Sequence, residues 1–180
     1  ANKDVRKATI TAMETIGEKK SSYPISDRLA RESDDEIKKS LIDAMVSLKS
    51  GGSLAGLKKI LLEDKKADLR IDAAYALGWI KDSRGLPILL EALDDADFRV
   101  RAEASAAAGN FRDRSAAASL IEVVSRDRER YVRSAALYAL KKINDRKSVI
   151  PLFDIYSTEK DPVFREQMRS VIRSYLEKLT

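Results

Sequence analysis

Neither histidine nor cysteine occurs among the 180 residues of this chain. The commonest general base, the commonest metal ligand and the thiolate nucleophile are all missing, so acid–base chemistry would fall to carboxylates, lysines or tyrosines. Disulfides and thiolate metal sites are excluded, and neither a cofactor nor a bound transition metal is expected. What the sequence does offer is the chemistry of recognition. Ile71, Tyr75 and Trp79 fall at i, i+4 and i+8, which on a helix makes one apolar and aromatic strip. Tyr138, followed by Lys142 one turn later, stands where that strip recurs. Phe98 and Tyr131, with Arg99 and Arg130 beside them, sit at the entrances of helices. Aromatic rings next to arginine are the composition of protein-interface hot spots. The competing reading is that such rings, Trp79 above all because it adjoins the core position Ile80, pack between neighbouring helices.

Helices must position these residues, and one unit generates them all. From Asp97 to Asp127 the chain reads DFRVRAEASAAAGNF, a short RDR break, SAAASLIEVV and then a turn. In the first segment Val100, Ala104, Ala107, Ala108 and Phe111 lie at offsets 0, 4, 7, 8 and 11, which at about 100° per residue fall on one helical face. The second repeats the pattern with Ala118, Leu120, Ile121 and Val124, so two amphipathic helices are joined by a turn and neither can bury its stripe alone. The Val100-Arg101 pair recurs as Val5-Arg6, Ile37-Lys38, Leu69-Arg70, Val132-Arg133 and Phe164-Arg165, at steps of 31 or 32 residues. This places repeats near residues 3, 35, 67, 98, 130 and 162 of a single unit spanning 1–180. A helical pattern at that period predicts a stacked solenoid.

Composition adds limits. With 44% hydrophobic and 35% charged residues the chain can bury a ribbon-like core. No apolar run reaches the length of a bilayer span, so no membrane insertion is expected. The compartment is left open: the cytoplasm is favoured, and a periplasmic or secreted protein fits if a leader preceded Ala1. The net charge of +5 permits an acidic partner without demanding one. Its distribution says more. Turns inside the helix pairs carry Lys19, Lys20, Lys49, Lys81, Arg84, Arg112, Arg114, Arg146 and Lys147 against Glu18, Asp82, Asp113 and Asp145, whereas turns between pairs are acidic. One rim is basic and the other acidic, through helix-end compensation or for a partner. Asp43, Asp68 and Asp72 between the rims argue against a nucleic-acid groove.

The segments DFRVRAEASAAAG, RYVRSAALYALKKIND and LRIDAAYALGWIKD resemble HEAT-like repeats of the phycobilin lyase type, and the resemblance covers essentially the whole chain. It implies an all-α fold, a right-handed α-solenoid of HEAT-like helical hairpins with five pairs and a terminal helix. It also implies that the first helix of each pair lines the concave side, where Tyr75, Trp79 and Tyr138 would wall a shallow groove with Ala106 between. In such repeats the basic residue near the start of a helix pairs with an aspartate of a neighbouring turn. Arg70, Arg101, Arg133 and Arg165 match the basic slot and Asp82, Asp113 and Asp145 the turn, while Glu18 and Ser50 depart from the pattern. A pair recurring in every unit is a stacking device before it is a site. Deoxyhypusine hydroxylase shares the repeat, but its metal sites need His-Glu pairs that this chain lacks. The expected function is a non-enzymatic scaffold or adaptor holding a protein or peptide segment in the concave groove, acidic where it meets the basic rim. A chromophore-lyase-like or other accessory enzyme subunit is the alternative, and nucleic-acid binding comes third.

Overall fold

The computed structural model describes residues 2–16, 22–49 and 53–177, and among them are eleven α-helices and no strand. Glu18, Lys19, Lys20 and Ser50 lie outside the described residues. Five hairpins follow one another: α1 (Lys3–Ile16) with α2 (Ser22–Leu29), α3 (Asp35–Leu48) with α4 (Ala55–Glu63), α5 (Ala67–Ile80) with α6 (Gly85–Glu91), α7 (Phe98–Asn110) with α8 (Ala117–Arg126), and α9 (Arg130–Ile143) with α10 (Val149–Thr158). Helix α11 (Pro162–Leu176) packs after them. Odd-numbered helices stack on one another as one layer, here the A layer, and each even-numbered helix also packs against the A helix that follows it. The result is an α-solenoid.

Helix starts and stops are set locally. Asp34 accepts from the amides of Glu36 and Ile37, Asp97 from that of Arg99, and Asp161 from those of Val163 and Phe164 with Pro162 in the first turn. Past the ends of α3, α5, α7 and α9 the chain turns through left-handed backbone at Lys49, Lys81, Arg112 and Asn144, with φ of 43°, 56°, 54° and 55°. The apolar stripes then close into one core. Val100, Ala104, Ala107, Ala108 and their counterparts Leu69, Ala73, Ala76, Leu77, Val132, Ala136, Ala139 and Leu140 are all buried. Phe111 and Ile121 are half-buried, and two positions depart further from the expected stripe. Ala117 is buried where Ala118 was expected, because a short 3-10 turn at Arg114–Ala116 rotates the start of α8. Val5 stays exposed, since among the described residues no even-numbered helix packs onto α1 as α10 packs onto α11.

The A layer closes tightest at its glycines. A methyl built on Gly78 would stand 2.6 Å from the Ala107 Cβ, and one on Gly109 2.6 Å from the Ala139 Cα. No side chain larger than hydrogen fits either seat without moving a helix. On the opposite side a cleft of about 430 Å³ separates α8 from α10.

The ion-pair ladder forms, but with other acceptors. Arg70 donates to the Asp95 carboxylate through Nε and Nη2, both at 2.7 Å, and Arg101 to Asp127 at 2.7 and 3.1 Å. Lys38 reaches Asp64 at 2.6 Å, Arg6 Glu32 at 3.4 Å and Arg133 Glu159 at 3.9 Å. Arg70, Arg101 and Arg133 also donate to the backbone carbonyls of Asp64, Asp95 and Asp127, tying one turn to the next. The assignment of Asp82, Asp113 and Asp145 to this ladder is therefore corrected. Each lies twelve residues beyond its arginine, about 18 Å along the helix axis and out of reach. They cap the turn inside each pair instead, accepting from the amides of Arg84, Ser115 and Lys147. Arg165 meets no acidic residue of the ladder; its guanidinium stacks on the Tyr156 ring, 4.9 Å from the centroid.

These contacts set the acid limit of the fold. Bonds from the Arg99 side chain and amide bring Asp97 from 3.8 to about 2. Burial pushes the Asp127 carboxyl up, but Arg101 and the Glu129 amide outweigh it and leave it low. For Glu32 burial is likewise outweighed, by the Asp34 amide and Arg28. Carboxyls held below their unfolded values stabilise the fold fully above the ordinary range, and that contribution is lost as pH falls through the folded values. The urea midpoint should therefore fall steeply between about pH 4 and about pH 2. A midpoint unchanged across that window would remove the ladder from the stability account.

Candidate functional site

The A-layer face presents its side chains in rows, one residue from each helix. The row holding Tyr75 runs Thr11, Asp43, Tyr75, Ala106, Tyr138 and Ser170. Tyr75 and Trp79 are 50% and 48% exposed and stack on each other at 6.1 Å with 17° between their planes. Exposure of that size places both rings on the surface and not between repeats. Ile71 supports them from a half-buried position one turn earlier, and the Lys49 ammonium lies 5.8 Å from the Trp79 centroid.

A polar chain joins this strip to the second aromatic position. Asn110 donates to the Gly78 carbonyl at 3.4 Å and accepts from the Lys142 Nζ at 2.7 Å, while that ammonium sits 4.7 Å over the Tyr138 ring. Lys142 is thus committed to α7 and to its own tyrosine. Tyr138, 54% exposed, forms a wall of a groove of about 790 Å³ between α9 and α11, together with Leu137, Lys141, Pro162, Val163, Glu166, Ser170 and Val171. The Ser134 hydroxyl bridges to Gln167 at 2.7 Å across it.

The contribution of α11 to this groove was not read from the sequence, although a signal existed. Gly78 and Gly109 occupy the same slot of successive A helices, and in α9 that slot holds Lys141. A lysine cannot seat against the next helix as glycine does, so α9 and α11 stay apart and the gap between them opens as the groove.

Phe98 and Tyr131 meet edge to face at 6.4 Å near the starts of α7 and α9, on the acidic side of the face. The arginines beside them are already paired. Arg99 bonds Asp97 at 2.8 Å and Asp68 at 2.9 Å, and Arg130 bonds Asp161 at 3.2 Å. Such exposed pairs contribute little to stability and exchange readily for another anion. The structure therefore gathers Ile71, Tyr75, Trp79, Tyr138 and Lys142 on one face and sets Phe98, Arg99, Arg130 and Tyr131 along its border.

Around the aromatic positions α3, α5 and α7 also carry carboxylates. Burial raises the Asp72 carboxyl, with Lys39 opposing and Asp43 and Asp68 adding to the rise; burial alone raises that of Glu103. A polyanion laid across the face would meet these carboxylates. Among the described residues no cluster of three or more acidic side chains could hold a metal ion, and no helix is long and apolar enough to cross a membrane.

Comparison with known proteins adds the following. The sequence pattern of the family described as HEAT repeats matches residues 24–108 and 86–173. None of the curated proteins matches the chain in sequence. Among solved structures, the complex of CpcE and CpcF of phycocyanin lyase from Nostoc sp. PCC7120 is similar with a TM-score of 0.67 at 19% identity, over 88% of this chain and 65% of that one. This chain thus spans about two thirds of the length of the lyase chain. An engineered protein aligns with a TM-score of 0.62 at 16% identity, over 98% of this chain and 92% of its own. Human deoxyhypusine hydroxylase in complex with glycerol aligns with a TM-score of 0.62 at 18% identity, over 96% of this chain and 68% of its own.

Proposed function

The chain belongs to the HEAT repeats family, and from that premise we propose that it is a non-enzymatic adaptor whose A-layer face holds a segment of another protein. The observation that carries this reading is the placement of Tyr75, Trp79 and Tyr138. All three rings are about half exposed on one face, while Phe164 and Tyr175 are buried in the core. Rings with an apolar body and a polar tip, laid beside an apolar groove, suit a half-wet protein interface. A segment lying across the face would cover the Tyr75–Trp79 stack and enter the groove beside Tyr138. The fold shared with the lyase complex at 19% identity carries architecture and not activity. Nucleic acid is disfavoured by the carboxylates Asp43, Asp68, Asp72 and Glu103 on the helices α3, α5 and α7 that carry or flank the aromatic positions.

The test is a dissociation constant. A partner recovered by affinity capture is titrated against the wild type and against a Tyr75→Ala/Tyr138→Ala variant. Truncation of true hot spots costs about 2 kcal/mol or more, so a loss of at least roughly thirtyfold is expected, with little change at moderate salt. An unchanged constant would overturn the reading, and so would tight binding of duplex DNA that survives moderate salt.

A further inference from the structure

The left-handed residues past the A helices form a series. Lys49, Lys81, Arg112 and Asn144 follow one another at steps of 32, 31 and 32 residues. This backbone favours glycine, or asparagine in second place. Asn144 meets that preference, but a lysine or arginine with positive φ is strained. Three successive hairpins nevertheless place a cation there, and all three side chains are exposed. Compensation of the helix dipole does not explain the choice. The last turns of α3, α5 and α7 would host a cation without strain, and none of the three carries one.

The cations are also free to act. Lys49, Lys81, Arg112 and Arg114 make no ion pair among the described residues. The carboxylates of the same edge are occupied locally, Asp82 by Arg84 and Asp113 by the Ser115 amide. The bonds from Asn110 to Gly78 and from Lys142 to Asn110 hold the ends of α5, α7 and α9 level with one another. The cations therefore line one edge of the face, past the ends of α3, α5 and α7, and Lys49 joins that row to the Trp79 ring.

The spacing of the row selects a ligand. Packed helices stand about 8–10 Å apart. A polyproline II strand advances about 3.1 Å per residue with three residues per turn, so every third side chain faces one way at intervals of about 9 Å. We infer that this edge binds an extended acidic peptide carrying a carboxylate at every third residue, one for each hairpin. The inference rests on the reading of the A face as a protein-binding surface and names the chemistry of its occupant.

Two labelled peptides of about 12 residues, long enough to pass the three cation-bearing hairpins in the polyproline II form, make the test. Both consist of proline, alanine and three glutamates, set at every third position in one and contiguous in the other. Anisotropy titrations should show the spaced peptide binding about tenfold tighter than its isomer at low salt, and the preference should shrink as salt screens it. Lys81→Gln/Arg112→Gln should abolish the preference, whereas Arg128→Gln, in the exposed turn between α8 and α9 at the opposite edge, should leave it in place. A second variant, Lys81→Gly/Arg112→Gly, should lose the preference while raising the urea midpoint, which separates binding from folding. Equal binding of the isomers, a preference that survives Lys81→Gln/Arg112→Gln, or tighter binding of single-stranded oligothymidylate would overturn the inference. Failure of the adaptor reading appears elsewhere, as an unchanged affinity of the captured partner for Tyr75→Ala/Tyr138→Ala.

Discussion

Phe164→Ala should destabilise the protein by about 4 kcal/mol. Phe164 is fully buried in α11, in the slot that Val132 fills in α9 and Val100 in α7. Its ring also lies 4.7 Å from the Arg133 guanidinium. That arginine holds its ladder partner Glu159 only at 3.9 Å, and its Nε has no hydrogen-bond acceptor among the described residues. The aromatic face is therefore the principal cover for a largely desolvated cation. Truncation leaves a cavity and uncovers that charge together. Because a solenoid joint involves only neighbouring repeats, the loss should be local: hydrogen exchange should accelerate in α11 and the first turns of α9 while α5 and α7 keep their protection. Phe164→Leu retains most of the volume and should cost roughly 1 kcal/mol. Equal midpoints for the alanine variant and the wild type would show that the α9–α11 joint does not rest on this ring.

Asp127→Ala should cost roughly 3 kcal/mol, because it strands Arg101, whose side chain is 17% exposed. Asp127 also accepts from the Glu129 amide, so its loss opens the turn before α9 as well. Asp113→Ala, which removes only an exposed turn cap, should cost about 1 kcal/mol or less. Restoring balance is the stricter measurement. Arg101→Met added to Asp127→Ala removes the stranded charge and should recover part of the stability, as replacement of both members of a buried pair does. Equal shifts in urea midpoint for Asp127→Ala and Asp113→Ala would return the ladder to its original, sequence-based form.

The error over the ladder shows where sequence reasoning ends. Asp82, Asp113 and Asp145 recur at the repeat period, and so do Asp64, Asp95 and Asp127. Periodicity alone cannot choose between two acidic series that both keep step with the arginines. The rise of the helix can, since twelve residues of α5 carry Asp82 away from Arg70, whereas the return through α6 brings Asp95 back to it. Helix positions and stripes were legible because each repeat states them again. The groove beside Tyr138 was harder to read, for it arises where the repeat fails to restate itself, at Lys141 in place of a glycine.

That same substitution gives the ribbon an uneven elasticity. Joints seated helix against helix at Gly78 and Gly109 have almost no slack, and bending them would force backbone into backbone. The α9–α11 joint is spaced by side chains, which rearrange at far lower cost. Thermal flexing of the solenoid therefore avoids the two glycine-seated joints, and at the α9–α11 joint it runs along the groove. The molecule behaves as a stiff arm with a compliant wrist, so the width of its gap adjusts to an occupant while the Tyr75–Trp79 platform keeps its shape.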